Sequence, residues 1–319
     1  MMRWLYALFL CFITVGASNA AENQEETFAL LQRMAHAAHK LNYSGNFVYQ
    51  FGNNVETSRI THLKDARGEY EKLMMLDGNR RQVFRNNDEV YCFLSDNKTV
   101  MVAKRRLKRS FPALLPTQLQ DINEHYDVNL GGQERIADRD SQLIILLPKD
   151  AYRYGLRLWS DIQTGLLLKA STWNEQKEIV DQFFFSDIKI GGPIDRKEVK
   201  PILDGKKLVR SVGESNEQAI PVDAGWVIAA PPPGFKRMMG MKRVLPGAHM
   251  PVNHVVFSDG LAAVSVFIEP ISDKTVPGLS SQGAVHIYTR IASDHQITVL
   301  GEVPKATVMQ IGDAVSFKK

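Results

Sequence analysis

The chain has 319 residues, of which 44% are hydrophobic, 9% aromatic and 23% charged, with 22 Gly and 14 Pro. That is the balance of a folded globular protein and excludes collagen-like and intrinsically disordered classes. Lys and Arg number 39 against 35 Asp and Glu, a net charge of +4, too small a surplus to imply nucleic acid as a partner.

Residues 1–20 carry a single charge, Arg3, then an apolar run over residues 4–15 and small residues at Ser18 and Ala20. This is the pattern of a secretory signal peptide, with cleavage expected after Ala20. The apolar run is too short for a spanning helix, which needs about twenty residues. Cys11 lacks a lipoprotein-type context, so no lipid anchor is expected. Loss of Arg3 lowers the net charge to +3 and leaves Cys92 as the lone cysteine, so no intramolecular disulfide forms. Cys92 sits in the apolar run Val90-Tyr91-Cys92-Phe93-Leu94 and reads as a small buried hydrophobe rather than a reactive thiol. The expected location is outside the cytoplasm.

In chain order, Phe28, Leu31, Ala35 and Ala38 predict an amphipathic helix over residues 27–41. From Tyr43 the period changes to two, through Phe47, Tyr49 and Phe51, and Gly52-Asn53-Asn54 marks a hairpin. Strand-like pieces follow at 55–63, 69–76, 81–85, 89–94 and 99–103, too closely spaced for helical crossovers, so an antiparallel meander is expected. After an interruption at 104–127 the pattern resumes at 135–138, 142–147, 152–159, 166–173 and 179–190. Trp159-Ser160-Asp161 and Thr164-Gly165 bracket a tight turn, with Gly165 suited to a left-handed position. Residues 191–222 mix charge with Gly and Pro and read as a linker. Strands are then expected near 226 and at 237–245, 252–257, 261–268, 285–291 and 297–303. A closing helix is expected near Pro304, with Val308, Ile311 and Val315 at i, i+3, i+7. The expected class is α+β in two domains: residues 1–20 a signal peptide, 21–190 the N-terminal domain, 191–222 the linker, and 223–319 a smaller C-terminal domain.

No nucleophile elbow, phosphate loop, dinucleotide fingerprint, His-Glu-x-x-His or paired Cys-x-x-Cys is present. His36 and His39 share a helix face but lack a neighbouring third ligand. Ser280, Ser281, His286 and Asp294 are close in sequence, which carries no triad geometry, and the two serines read as a surface loop. No catalytic residue, metal or cofactor is expected. The segment that departs from a neutral background is Lys104-Arg105-Arg106-Leu107-Lys108-Arg109, running into Phe111, Leu114 and Leu115 between Pro112 and Pro116. From residue 97 to 120 there are six basic residues and no acid. Cations followed by an apolar stretch suit an anionic amphiphile, with Lys104, Arg105, Arg106, Lys108 and Arg109 on lipid phosphates and Phe111, Leu114 and Leu115 along the acyl chains. A solvated loop with a locally buried Phe and Leu is the competing account.

Leu73-Met74-Met75-Leu76-Asp77-Gly78 with Arg80-Arg81 and Glu89-Val90-Tyr91, the run from Gln133 to Arg139, Tyr152-Arg153-Tyr154, and Trp159 with Asp161 and Thr164-Gly165 together resemble the RseB/MucB family of periplasmic negative regulators of the envelope-stress sigma factor. Pro233-Gly234-Phe235, Ser258-Asp259-Gly260-Leu261 and the run from Ile297 to Pro304 continue the likeness to the end of the chain. The resemblance implies an N-terminal half-open antiparallel β-barrel like the lipoprotein carrier LolA, a smaller C-terminal domain, and a regulator rather than an enzyme. It also implies binding to the periplasmic domain of an RseA/MucA-type anti-sigma factor, protection of that factor from site-one proteolysis, release by lipopolysaccharide or lipid, and a homodimer as an expected assembly. The anti-sigma contact is assigned by the resemblance mainly to the C-terminal domain. Candidates there are Arg237, Lys242, Arg243 and Arg290 with Trp226 and Phe235 as aromatic anchors, although core packing competes for the two aromatics. A lipid or lipoprotein carrier is the alternative function.

Overall fold

The structure is a computed structural model and describes residues 14–79, 81–87, 89–93, 98–104, 111–117, 119, 121–210, 225–244, 251–273 and 275–317. Helix α1 (Thr14–Lys40) is followed by strands β1 (Tyr43–Phe51), β2 (Asn54–Asp65), β3 (Gly68–Met75), β4 (Gln82–Asn86), β5 (Glu89–Phe93) and β6 (Thr99–Lys104). A short helix α2 (Ile122–His125) leads into β7 (Tyr126–Ile136), β8 (Arg139–Pro148), β9 (Gly155–Asp161), β10 (Leu167–Trp173) and β11 (Ile179–Ile190). These strands and β12 (Lys207–Arg210) form one twelve-stranded sheet in the order β12-β6-β5-β4-β3-β2-β1-β11-β10-β9-β8-β7. The chain therefore starts in the middle of the sheet, walks to one side, crosses over, and returns from the far side until β11 pairs antiparallel with β1. Among the described residues the end strands β12 and β7 each have one neighbour, so the barrel stays half open.

Alternation explains the inner face. Tyr43 and Phe47 of β1, Phe185 of β11 and Ile144 and Leu146 of β8 are buried, and they meet Leu31, Met34, Ala35 and Ala38 from α1 in one core. Each such large side chain contributes about 1.5–3 kcal/mol by leaving water. The crossover closes the same core with Phe111, Ala113, Leu115, Leu119 and Ile122. The turn after β9 forms as its residues predict. Asp161 accepts from the Thr164 amide (2.8 Å) and hydroxyl (2.6 Å), and Gly165 takes φ +78°. Arg139 donates to both oxygens of the same carboxylate, at 2.7 and 3.1 Å. Burial alone would raise this carboxyl, but the Arg139 and Thr164 donors outweigh it and hold Asp161 below the usual range.

Several elements differ from the sequence expectation, beginning with α1, which starts at Thr14 and not at residue 27. β7 begins at Tyr126, well before residue 135, because an edge strand exposed along most of its length shows no apolar alternation. Part of the expected linker is built into the first sheet. Val199 is fully buried with Leu63 and Tyr70, and β12 pairs parallel with β6. Ser280 and Ser281 lie in a strand, β17, not a loop.

The second unit is a six-stranded antiparallel sheet of β14 (Lys236–Val244), β15 (Pro251–Ser258), β16 (Ala263–Pro270), β17 (Gly278–Gln282), β18 (Val285–Ala292) and β19 (His295–Gly301), in the order β14-β15-β16-β19-β18-β17. Helix α3 (Lys305–Asp313) packs on β18 and β19. β13 (Trp226–Ile228) pairs with β20 (Val315–Phe317). Val308 and Ile311 are buried on α3, whereas Val315, also buried, already belongs to β20 and not to the helix. No described helix is long and apolar enough to cross a membrane.

Candidate functional site

The two units are joined through the connection between β8 and β9, where Tyr152-Arg153-Tyr154 meets the segments around residues 233 and 259. Arg153 is fully buried, and its Nε donates to Asp259 Oδ2 at 3.0 Å, a carboxylate that is itself fully buried. The same guanidinium donates to Asp150 and to the Pro233 carbonyl and lies over the Phe235 ring, 5.3 Å from its centroid. Asp259 Oδ1 accepts from the amides of Leu261 (2.8 Å) and Ala262 (2.7 Å), so one carboxylate fixes both the turn and the joint. On either side, the Thr307 hydroxyl donates to the Tyr152 carbonyl at 2.7 Å, and the Tyr154 hydroxyl lies 3.2 Å from His286 Nδ1. That histidine nitrogen is 2.9 Å from the Val303 carbonyl, so His286 is engaged in the joint.

Beside the joint lies a cavity of about 360 Å³ walled by both units, within the size range of small-molecule sites. Phe47, Phe183, Leu158 and Ala170 come from the inner face of the large sheet. Phe111, Leu114 and Leu115 come from the crossover, and Leu261, Ala262 and Ala284 from the second unit. Phe111 stacks on Phe183 with centroids 5.5 Å apart and packs against Phe47 at 5.2 Å, which fixes this apolar wall. The polar lining combines three acids, Glu71, Asp181 and Glu302, with Arg85, Thr172 and Tyr154. Glu71 is paired with Arg85. Asp181 of β11 is buried and bonded by Thr172, and burial pushes its carboxyl up. Glu302 is exposed at its surface, yet desolvation by the chain packed around it, with the Asp181 charge, raises it too. Burial and the Asp181 charge also push the Tyr154 hydroxyl up to about 12.

The two acids come from different units, and the upward shift of both fixes the sign of a pH effect. A carboxyl raised above its ordinary value, 3.8 for Asp181 and 4.5 for Glu302, contributes stability that is fully present below that ordinary value. The contribution is lost as pH rises through the raised one. Asp181→Asn is therefore expected to raise the melting temperature near neutral pH, with the gain vanishing below about pH 4. Melting of both proteins across that range checks it, and a gain independent of pH would show that charge is not the cause.

Of the residues expected to hold an anionic lipid, Phe111, Leu114 and Leu115 stand on the cavity wall. Lys104 ends β6, its side chain outside the described residues, and Arg105, Arg106, Lys108 and Arg109 also lie outside them. The expected protein-contact residues divide. Arg237 is exposed on β14 and Lys242 half-buried on the same strand, which also carries Arg243, whose side chain is outside the described set. Arg290 is not a free surface cation. It donates from Nε to the Gly312 carbonyl at 2.8 Å and also to the Val315 carbonyl, holding the end of α3 to β18. Trp226 and Phe235 are buried in the second core and so are not exposed anchors. Trp226 packs edge-on against Phe317 at 5.1 Å, and Phe235 underlies Arg153. Residue types alone did not single out Arg153, Asp259, Asp181 or Glu302. The available signal was an acid inside the aromatic strand run Asp181-Gln182-Phe183-Phe184-Phe185.

Residues 26–203 match the model of the MucB/RseB N-terminal domain and residues 221–316 that of the MucB/RseB C-terminal domain. This chain belongs to the MucB/RseB family. The sigma factor AlgU regulatory protein MucB of Pseudomonas aeruginosa is 30% identical over 315 residues, covering 96% of this chain and 95% of that protein. The sigma-E factor regulatory protein RseB of Escherichia coli is 25% identical over 297 residues, covering 91% and 90%. MucB solved in complex with MucA(peri) superposes with a TM-score of 0.73 at 26% identity, over 92% of this chain and 99% of that one. The segments 152–154, 233–235 and 258–261 converge at Arg153.

Proposed function

We propose that this chain is a periplasmic regulatory protein that binds the periplasmic domain of a membrane anti-sigma factor and shields it from site-one proteolysis. It lets go when lipopolysaccharide or another lipid occupies the interdomain cavity. The observation that carries the reading is the likeness, over nearly the whole chain, to MucB as seen bound to MucA(peri). The cavity supports the second half of the reading, because its walls belong to both units. An acyl chain that favours one arrangement of those walls and a protein that favours another are coupled reciprocally, without covalent chemistry.

The test is capture of the anti-sigma periplasmic domain from the same genome by the full-length mature protein at fixed salt, with and without lipopolysaccharide. Capture that lipopolysaccharide reverses, together with slower cleavage of the captured domain by the site-one protease, is the expected result. Absence of capture in both conditions, with acyl chains co-purifying, would instead identify a LolA-type carrier.

A further inference from the structure

The second sheet begins with β14, whose described neighbour in the sheet is β15 on one side only. Its nine residues read Lys-Arg-Met-Met-Gly-Met-Lys-Arg-Val, four cations and no acid. Cationic edge strands resist pairing with copies of themselves, and with Lys236 paired to Asp121 each β14 still carries Arg237, Lys242 and Arg243 to oppose those of a copy. A strand of opposite charge meets no such barrier. The opposite edge, β17, is five exposed residues without a charge, so the two edges are not equivalent. A second cavity, of about 310 Å³, opens at the start of β14. Its walls include Leu119, Ile122, Tyr126 and Leu261, with Met238 of β14 at the rim, 63% exposed. Beside it, Lys236 is already paired with a carboxylate, Asp121 Oδ2 at 2.5 Å, so a carboxylate is accommodated at this position.

We infer that β14 is a docking edge, to which an acidic, extended segment of the partner adds as a further strand while an apolar side chain enters the cavity at its start. Main-chain hydrogen bonds would supply affinity and the cavity and cations specificity. The inference rests on the partner reading above and adds the surface and the mode of contact.

Amide hydrogen exchange of the full-length protein, free and with the anti-sigma periplasmic domain, reads the mode directly. Protection gained by alternate amides within residues 236–244 is the expected result. Arg237→Glu combined with Lys242→Glu is expected to weaken capture by on the order of tenfold at low salt, with much of the difference lost at high salt. Met238→Asp, which changes the rim of the cavity and not the strand, should weaken it independently. A complex that forms with unchanged exchange in β14 and full affinity in the charge-reversed protein overturns the docking edge and leaves the partner reading standing. Failure of the unmodified protein to capture the domain removes both.

Discussion

Arg153→Met is expected to cost about 3–5 kcal/mol, the price of leaving a carboxylate buried without its partner. Asp259 is fully buried and shares its oxygens between that guanidinium and the amides of Leu261 and Ala262. With the guanidinium gone it is an uncompensated charge at the contact of the two units. Calorimetry should show the loss as separation of one cooperative unfolding event into two, because the other polar links between the units among the described residues are Thr307 to Tyr152, Tyr154 to His286 and Ala284, and the exposed Lys236–Asp121 pair. Arg153→Met combined with Asp259→Asn keeps the turn's acceptor oxygen and removes both charges, and is expected to recover a large share of the loss. An Arg153→Met protein that melts like the unmodified one would show that the joint is held elsewhere.

Filling the larger cavity is expected to have the second largest effect, on lipid rather than on stability. Ala170 is 5% exposed and faces that space among Phe47, Leu158 and Phe183. Ala170→Trp should displace several methylenes of a bound acyl chain. At about 0.8 kcal/mol each, four methylenes are worth roughly 3 kcal/mol, or a loss of about two hundred-fold in affinity. Displacement of a fluorescent fatty-acyl probe by lipopolysaccharide measures it, and capture of the anti-sigma domain in the absence of lipid should persist as evidence of a sound fold. Unchanged lipid affinity in a folded Ala170→Trp protein would place the acyl chains outside this cavity.

The strands were legible where one face is buried and the other is not. β1, with Tyr43 and Phe47 inward, and β16, with Val264, Val266 and Ile268 inward, carry the period of two in their own residues. β7 was legible only at its end, because an edge strand does not need an apolar face, and β12 not at all, because its pairing depends on β6, distant in sequence. Arg290, Trp226 and Phe235 show the converse limit. A cation or an aromatic ring has the same letter on a surface and in a core, and the surrounding chain decides which it is.

The sequence by itself determined the α+β class, the meanders and their turns, and, through motifs spread over its whole length, membership of the MucB/RseB family. These depend on periodicity and turn chemistry, which are local. Only the tertiary structure decided that Arg153 meets Asp259 across 106 residues and that Asp181 and Glu302 stand on one cavity. It alone decided that β14 forms one end of a sheet. Those relations are set by how two packed units meet, and their energies come from desolvation and charge at distances that no spacing along the chain encodes.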